Sequence, residues 1–305
     1  MRTYKEQRLI MQEALLKLKN YLLRIFILAG LLWSRLSPTG RAALLILMLL
    51  VLTALFAPLL AWHPPDVSSG PALTPPGDGH LMGTDDLGVD LWAMIVFGAR
   101  VSIIVGLGTA LLAGLGGSIA GIASAYKGGW MDRVIMRLVD IMIVLPDLPV
   151  MIVLAAFFGP SLSNIIIVLA LFSWSRPARL IRAQTLSLKE QPYVKMAAHY
   201  GGGFFYLLFR HFLPELLPLL LVNMIRLAGM AIIAEASLAF LGLGDPTSRS
   251  WGLIINHAVN FSGIYFTPFW QWWLLYPWLF LTLLVTSLAL LGRDLERVAD
   301  PRLSS

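Results

Sequence analysis

The chain has 305 residues, of which 58% are hydrophobic and only 13% charged, with a formal net charge of +6. An ordinary soluble domain carries about 25% charged residues, so the composition points to an integral membrane protein. There is no cysteine, which excludes disulfide frameworks, thiolate metal sites and cysteine nucleophiles.

Residues 1–41 hold eight basic side chains, from Arg2 to Arg41, against two acids, Glu6 and Glu13. No small-residue cleavage site follows a compact apolar core, so this is not expected to be a cleaved signal peptide. The bases lie beside apolar runs, which fits a membrane's inner face better than nucleic acid. Within the segment, "YLLRIFILAGLLWS" (21–34) is too short to span and reads as an interfacial helix.

A hydrocarbon core about 30 Å thick needs roughly 20 apolar residues per helix. Six runs meet that length and predict an all-α membrane protein with spans at about 42–61, 101–126, 135–157, 161–180, 215–238 and 273–291. The expected layout is a cytoplasmic segment 1–40, a transmembrane domain 41–292 and a cytoplasmic tail 293–305. The second run carries Gly106, Gly108, Gly114, Gly116, Gly117 and Gly121, small residues that let membrane helices approach closely. Before it, Thr84-Asp85-Asp86 resembles a helix cap for the stretch Leu87 to Phe97, and the aspartates 85, 86 and 90 are expected to cap or be solvated. Lys and Arg concentrate in 1–41, 127–137, 176–210 and the tail, while 62–100 holds only Arg100 and 239–272 only Arg249. The positive-inside rule then places both termini in the cytoplasm. Trp270, Trp272, Trp273, Tyr276 and Trp278 read as an interfacial belt at the outer end of the sixth span.

The longest internal loop on the basic side contains "YVKMAAHYGGGFFYLLFRHFLPE" (193–215). Pro192 breaks the preceding helix, a second helix is expected from about Val194 to Tyr200, and Gly201, Gly202 and Gly203 make a flexible corner. Pro214 can begin the fifth span, where a missing N–H costs least. The elbow's Met196, Ala197, Ala198, Tyr200, Phe204 and Phe205 offer more apolar surface than a plain loop needs, which marks either a contact or side chains sunk among lipid headgroups.

Ionisable residues at membrane depth are functional candidates. Here they are Asp140, Asp147, Arg226 and Glu235, lining a pathway, forming an interface or making interhelical bonds. Asp140 and Asp147 fall about 20° from one helical face if Pro146 does not swing them apart, whereas Arg226 and Glu235 are nine apart and face opposite ways. His63, His80, His199, His211 and His257 show no helical metal spacing, so no metal site is expected. There is no phosphate-cradling GxxxxGK[ST] loop, and any ATP hydrolysis belongs to another polypeptide. No catalytic residue is assigned.

Nearly the whole chain from about residue 35 resembles the permease subunits of ATP-binding-cassette importers, in particular the dipeptide, oligopeptide and nickel branch. The resemblance rests on "LMGTDDLGVDLWAMIVFGARVSIIVGL" (81–107), "ARLIRAQTLSLKEQPYV" (178–194), "EASLAFLGLGDPTSRSWG" (235–252) and "DPRL" (300–303). It also rests on a loop frame of EAA, three residues, glycine, nine residues, an apolar residue and Leu-Pro. That frame falls on Lys195-Met196-Ala197, Gly201, His211, Leu213 and Pro214, with Lys195, Met196 and His211 departing from it. The resemblance implies a multi-pass protein of a bacterial or archaeal cell (inner) membrane, with the loop docking as a coupling helix on an ATPase. It implies a homologous second permease, two ATP-binding subunits carrying ATP and Mg2+, and an extracytoplasmic substrate-binding protein as partners. Peptide import is the leading expectation, with nickel or a metal chelate as an alternative cargo. An ion-coupled secondary transporter would need inverted repeats with broken midplane helices, and no convincing repeat relates 42–157 to 161–291. An intramembrane enzyme would have only Asp140 and Asp147 to offer, outside any catalytic motif.

Overall fold

A computed structural model describes residue 30 and residues 33–299 apart from 78. The expected interfacial helix, the basic N-terminal segment and the "DPRL" ending lie wholly or mostly outside the described residues.

The described residues are helical, with two isolated bridges and no strand. Helix α1 is Pro38–Leu55, capped by Ser37, whose hydroxyl accepts from Gly40 N at 3.1 Å. A four-residue turn, α2 (Ala57–Leu60), follows. Helix α3 (Leu91–Lys127) is one unbroken run of 37 residues, where the sequence suggested a short stretch ending at Phe97 and a separate span from 101. At 1.5 Å per residue it is about 55 Å long, well beyond a hydrocarbon core of about 30 Å, so its two ends project past the apolar slab. Its cap is Asp90, which accepts from Ala93 N at 3.1 Å, not the earlier Thr84-Asp85-Asp86. Asp85 instead holds a turn, accepting from Leu87 N at 2.9 Å and Val89 N at 2.7 Å.

The third run is broken. Helix α4 (Gly129–Val144) and helix α5 (Asp147–Phe158) meet at Leu145-Pro146 with a bend of 95°. A proline there removes a donor and blocks the α region for its predecessor. The fourth run divides into α6 (Leu162–Ser173) and α7 (Ser175–Lys189), bent by 41°. Helix α8 (Pro192–His199) begins at the predicted break, and α9 (Phe204–Leu207) leads through a π-helical turn, Leu208–Phe212, into α10 (Leu213–Phe240). Helix α11 (Trp251–Asn260), the short α12 (Trp270–Trp273) and α13 (Leu275–Ala299) complete the described residues. Among the described residues four helical runs are long and apolar enough to cross a membrane, or up to six if each bent pair is one span.

Helix α3 is the mast on which the rest packs, touching α1, α6, α7 and α10. Glycines make that possible. A Cβ on Gly121 would sit 2.5 Å from Ala178 O and one on Gly117 would strike Trp174 O, so α7 lies directly on the α3 backbone. Gly116 meets nothing within 4 Å and takes no part in this seam. Leu111, Leu112, Leu115 and Ile119 on the same helix stay exposed, consistent with a lipid-facing stripe. Trp272 and Trp273 are buried in the main core beside Trp251 and Phe261, while Trp270 and Trp278 are exposed; the expected aromatic belt is therefore half packing and half surface.

Candidate functional site

Two regions gather the chemistry, one at each end of α3. The elbow stands at the C-terminal end. Lys189 Nζ donates to Ala125 O (3.3 Å) and Tyr126 O (3.0 Å), satisfying carbonyls that the end of α3 leaves orphaned. The ring of Tyr126 packs against Phe204 at 4.7 Å and Phe212 at 6.5 Å between centroids. Val194, Leu207 and Phe212 are buried with Ile122, Ile181 and Leu216 in a satellite core. The elbow is thus keyed to α3, α7 and α10 together.

Its outward face is different in kind. Met196 is 52% exposed, Tyr200 80% and Phe205 71%. Ala198 and Gly201 are exposed, and Ala197 and Phe204 are half-buried. Gly201 has φ +87° and follows a Schellman stop in which Gly202 N donates to Ala197 O at 2.9 Å. A Cβ on Gly202 would lie 2.6 Å from Ala197 O, whereas one on Gly203 meets nothing within 4 Å. The triple glycine is therefore a built helix stop at its first two positions rather than a corner flexible throughout.

Leu213 and Pro214 sit in the first turn of α10, as expected, but the helix does not start afresh there. The chain runs helically from Phe204 to Phe240, and the π turn, with Leu213 N donating to Leu208 O, relieves the clash that Pro214 would make with the carbonyl four residues before it. Tyr193 Oη donates to Glu215 and its ring lies 5.7 Å from that of His211, which ties α8 across to α10. That bond to the Glu215 carboxylate pushes the Tyr193 phenol up to about 12. Lys195, where the family frame has glutamate, pairs with Glu190 at 2.6 Å and holds that carboxyl below its ordinary range. Both partners are exposed, so the pair does not bury either charge.

Beside the elbow a charged ladder runs between α4/α5 and α7. Arg182 forks onto both oxygens of Asp132 (2.6 Å each), Arg179 pairs with Asp140, and Arg176 reaches Asp147 at 2.8 Å. Ser124 of α3 also donates to Asp132. Asp140 and Asp147 do not share a straight face, because Pro146 swings α5 away; they meet the same α7 instead. A cleft of about 700 Å³ opens between Asp132, Asp140, Arg179 and Arg182. The arginines at 176, 179 and 182 recur every three residues on α7, a spacing that sequence reasoning counted as loop charge and left unpaired with Asp132.

Arg226 pairs with Glu296 of α13, not with Glu235, in keeping with their opposite faces on α10. Glu235 is 1% exposed, and its Oε2 has no hydrogen-bond partner among the described residues.

At the N-terminal end of α3, the loop 61–90 folds over the helix start. Thr74 and Thr84 cross-link it: Thr84 Oγ1 accepts from Thr74 N at 2.8 Å and donates to Pro71 O at 2.7 Å. Indole N–H groups pin its edges, Trp92 to Leu60 O (2.9 Å) and Trp272 to Thr84 O (3.4 Å), while the Trp251 indole ties α11 to α3 through Ile95 O (2.9 Å). Here His80 Nδ1 lies 3.2 Å from Asp90 Oδ1, and His63 Nδ1 lies 3.7 Å from Asp90 Oδ2. Histidines 17 positions apart, isolated by sequence spacing, are neighbours in the fold.

Residues 114–305 match the family model described as "Binding-protein-dependent transport system inner membrane component". A putative peptide transport system permease protein of Brucella suis is 37% identical over 266 residues, 86% of this chain and 88% of that protein. The dipeptide transport system permease protein DppC of Bacillus subtilis is 35% identical over 281 residues, covering 89% of this chain and 85% of its own. The glutathione transport system permease protein GsiD of Pectobacterium atrosepticum is 35% identical over 231 residues, 75% of each chain. Permeases of this kind are not themselves enzymes, which displaces the intramembrane-enzyme and ion-coupled readings. The chain belongs to the binding-protein-dependent transport system inner membrane components, the permease subunits of ATP-binding-cassette importers.

Proposed function

We propose that the chain is one of two pore-forming permeases in an ATP-driven importer of di- or oligopeptides. It pairs with a homologous second permease and moves substrate by alternating access, with two ATPase subunits supplying the drive and a substrate-binding protein delivering the cargo. Peptide cargo is supported by the names of its relatives in Brucella suis and Bacillus subtilis. Both termini and the elbow face the cytoplasm, as the distribution of Lys and Arg argues, and loop 61–90 faces outward.

One observation carries the mechanism: α8 and α9 present exposed Met196, Tyr200 and Phe205 while Val194 and Leu207 are buried against α3, α7 and α10. A contact that is apolar outside and packed inside can pass a rigid-body push from an ATPase cleft to several spans at once. Lys195 and Met196 present a basic and flexible edge to that cleft, Ala197 and Ala198 allow close approach, and Gly201 sets the angle at which Phe204 follows.

The test is uptake and ATP hydrolysis in proteoliposomes carrying the whole complex. An Ala198→Asp/Tyr200→Asp variant is expected to keep the ATPases bound and hydrolysis running while uptake falls at least tenfold. Normal uptake with the ATPases still bound would remove the elbow from the coupling path.

A further inference from the structure

The cluster His63, His80 and Asp90 lies outside everything the transport reading uses. Each side chain offers one ligand atom, and the three atoms lie within 4.8 Å of one another. A tetrahedral zinc with ligands at about 2.0–2.2 Å places neighbouring donor atoms roughly 3.4 Å apart. The two imidazole Nδ1 atoms stand 3.2 Å and 3.7 Å from the two oxygens of Asp90, and drawing the three donors together from within 4.8 Å to that spacing would seat an ion. We propose that His63, His80 and Asp90 form a binding site for a divalent transition-metal ion of the zinc type, clasping loop 61–90 to the start of α3.

Three features argue for a ligand rather than for a hydrogen-bonded core histidine. His63 Nδ1 is buried and has no hydrogen-bond partner, although it faces Asp90. Asp90 meets His80 Nδ1 and accepts from Ala93 N, and a metal ion held beside it would engage an unprotonated nitrogen of each imidazole together, giving the orphaned His63 Nδ1 a partner. The two rings lie 4.8 Å apart at 31°, and it is the Nδ1 of each that faces the Asp90 carboxylate.

The donor set selects among ions. Two imidazoles and one carboxylate suit zinc, copper or nickel, whereas calcium and magnesium want six or more oxygens. The positive end of α3 opposes a cation, and the charge of Asp90 offsets it. Asp90 and His80 are buried at 2% and 6% exposure, while the His63 side chain is 30% exposed, so the ion reaches the site from the His63 side, where a water completes the fourth position. The ion would join the chain on either side of the 62–90 crossing, stiffening the loop that shields the mouth of the helix bundle.

Zinc itself is the probe. The full-length chain, with whatever subunits co-purify, is isolated through a tag without histidine, loaded with zinc chloride and stripped of loose metal on chelating resin. Retained zinc is then measured by mass spectrometry for wild type, His63→Ala and Asp90→Asn. The last keeps a helix-capping side chain, and the first changes only the partly exposed ligand, so both are expected to fold. The proposal predicts about one fewer zinc per chain in each variant, and a zinc-dependent rise in thermal midpoint in the wild type alone. Equal zinc in all three proteins, or an equal thermal shift in all three, overturns it.

Discussion

The two ends of α3 solve opposite problems. At the N-terminal end, loop 61–90 is closed down: Thr84, Asp85 and Asp90 are all under 5% exposed and each is spoken for by backbone groups. Two indoles stitch its margins to carbonyls, and a third ties α11 to the α3 beneath it. At the C-terminal end, aromatic side chains turn outward, and only the roots of α8 and α9 are buried. A closed cap resists deformation, whereas an anchored apolar face invites a partner and can transmit its displacement. One helix of 37 residues joins the two, so a tilt imposed at the elbow moves the mouth as well.

Breaking the closed end should cost most. Trp251 is fully buried and its indole donates to Ile95 O, so Trp251→Ala is expected to destabilise the protein by about 3–5 kcal/mol, seen as a large drop in the thermal midpoint in detergent. At the elbow end the fork between Arg182 and Asp132 is partly buried and bidentate. Removing one partner, as in Asp132→Ala, should cost about 1.5–3 kcal/mol, and the exchange Asp132→Arg with Arg182→Asp should recover part of it. An exchange that recovers nothing would mean the rung contributes through position rather than charge.

The glycine stop gives a sharper contrast within three residues. Gly201→Ala forces a side chain into left-handed backbone and should cost about 1 kcal/mol, while Gly203→Ala, with open space around it, should stay within about 0.5 kcal/mol. Equal effects would return the corner to a flexible hinge. The smallest effect concerns pH. Tyr193 has its phenol raised to about 12 by Glu215, against an ordinary value near 10. Because the folded value lies above the unfolded one, its stabilisation is complete below about 10 and is lost as pH rises through about 12. Tyr193→Phe should flatten that alkaline step in a stability profile and leave neutral pH nearly unchanged.

Much of this architecture was legible from local pattern. Apolar runs of about 20 residues pointed to an all-helical membrane protein, for which the described residues offer four to six candidate crossings; Pro192 marked the break before α8, and the glycines of α3 marked its closest packing. The misses share a cause: they depend on pairing across the fold. Nothing near Asp132 in sequence points to Arg182, 50 positions on, and Pro146 reads as a possible kink without revealing a bend of 95°. His63 and His80 looked isolated because helical spacing is the wrong template for a loop that folds back on its own helix. The continuity of α3 was hidden by Arg100, which ended the apolar run; in the fold its guanidinium donates to Ala54 O and Leu55 O, so the charge sits at the end of α1 without interrupting α3.

Because the chain has no cysteine, the comparison between its ends can be tested by placing a single one. Tyr200→Cys on the elbow and Leu87→Cys on the loop, 80% and 70% exposed in the native chain, are each carried in the assembled complex with a thiol-to-amine cross-linker. The account predicts that the cysteine at 200 captures an ATPase subunit, that ATP changes the yield, and that the cysteine at 87 captures none. Capture of the ATPase from position 87, or its failure from position 200 in a complex that still transports, would contradict the assignment of the elbow as the coupling contact.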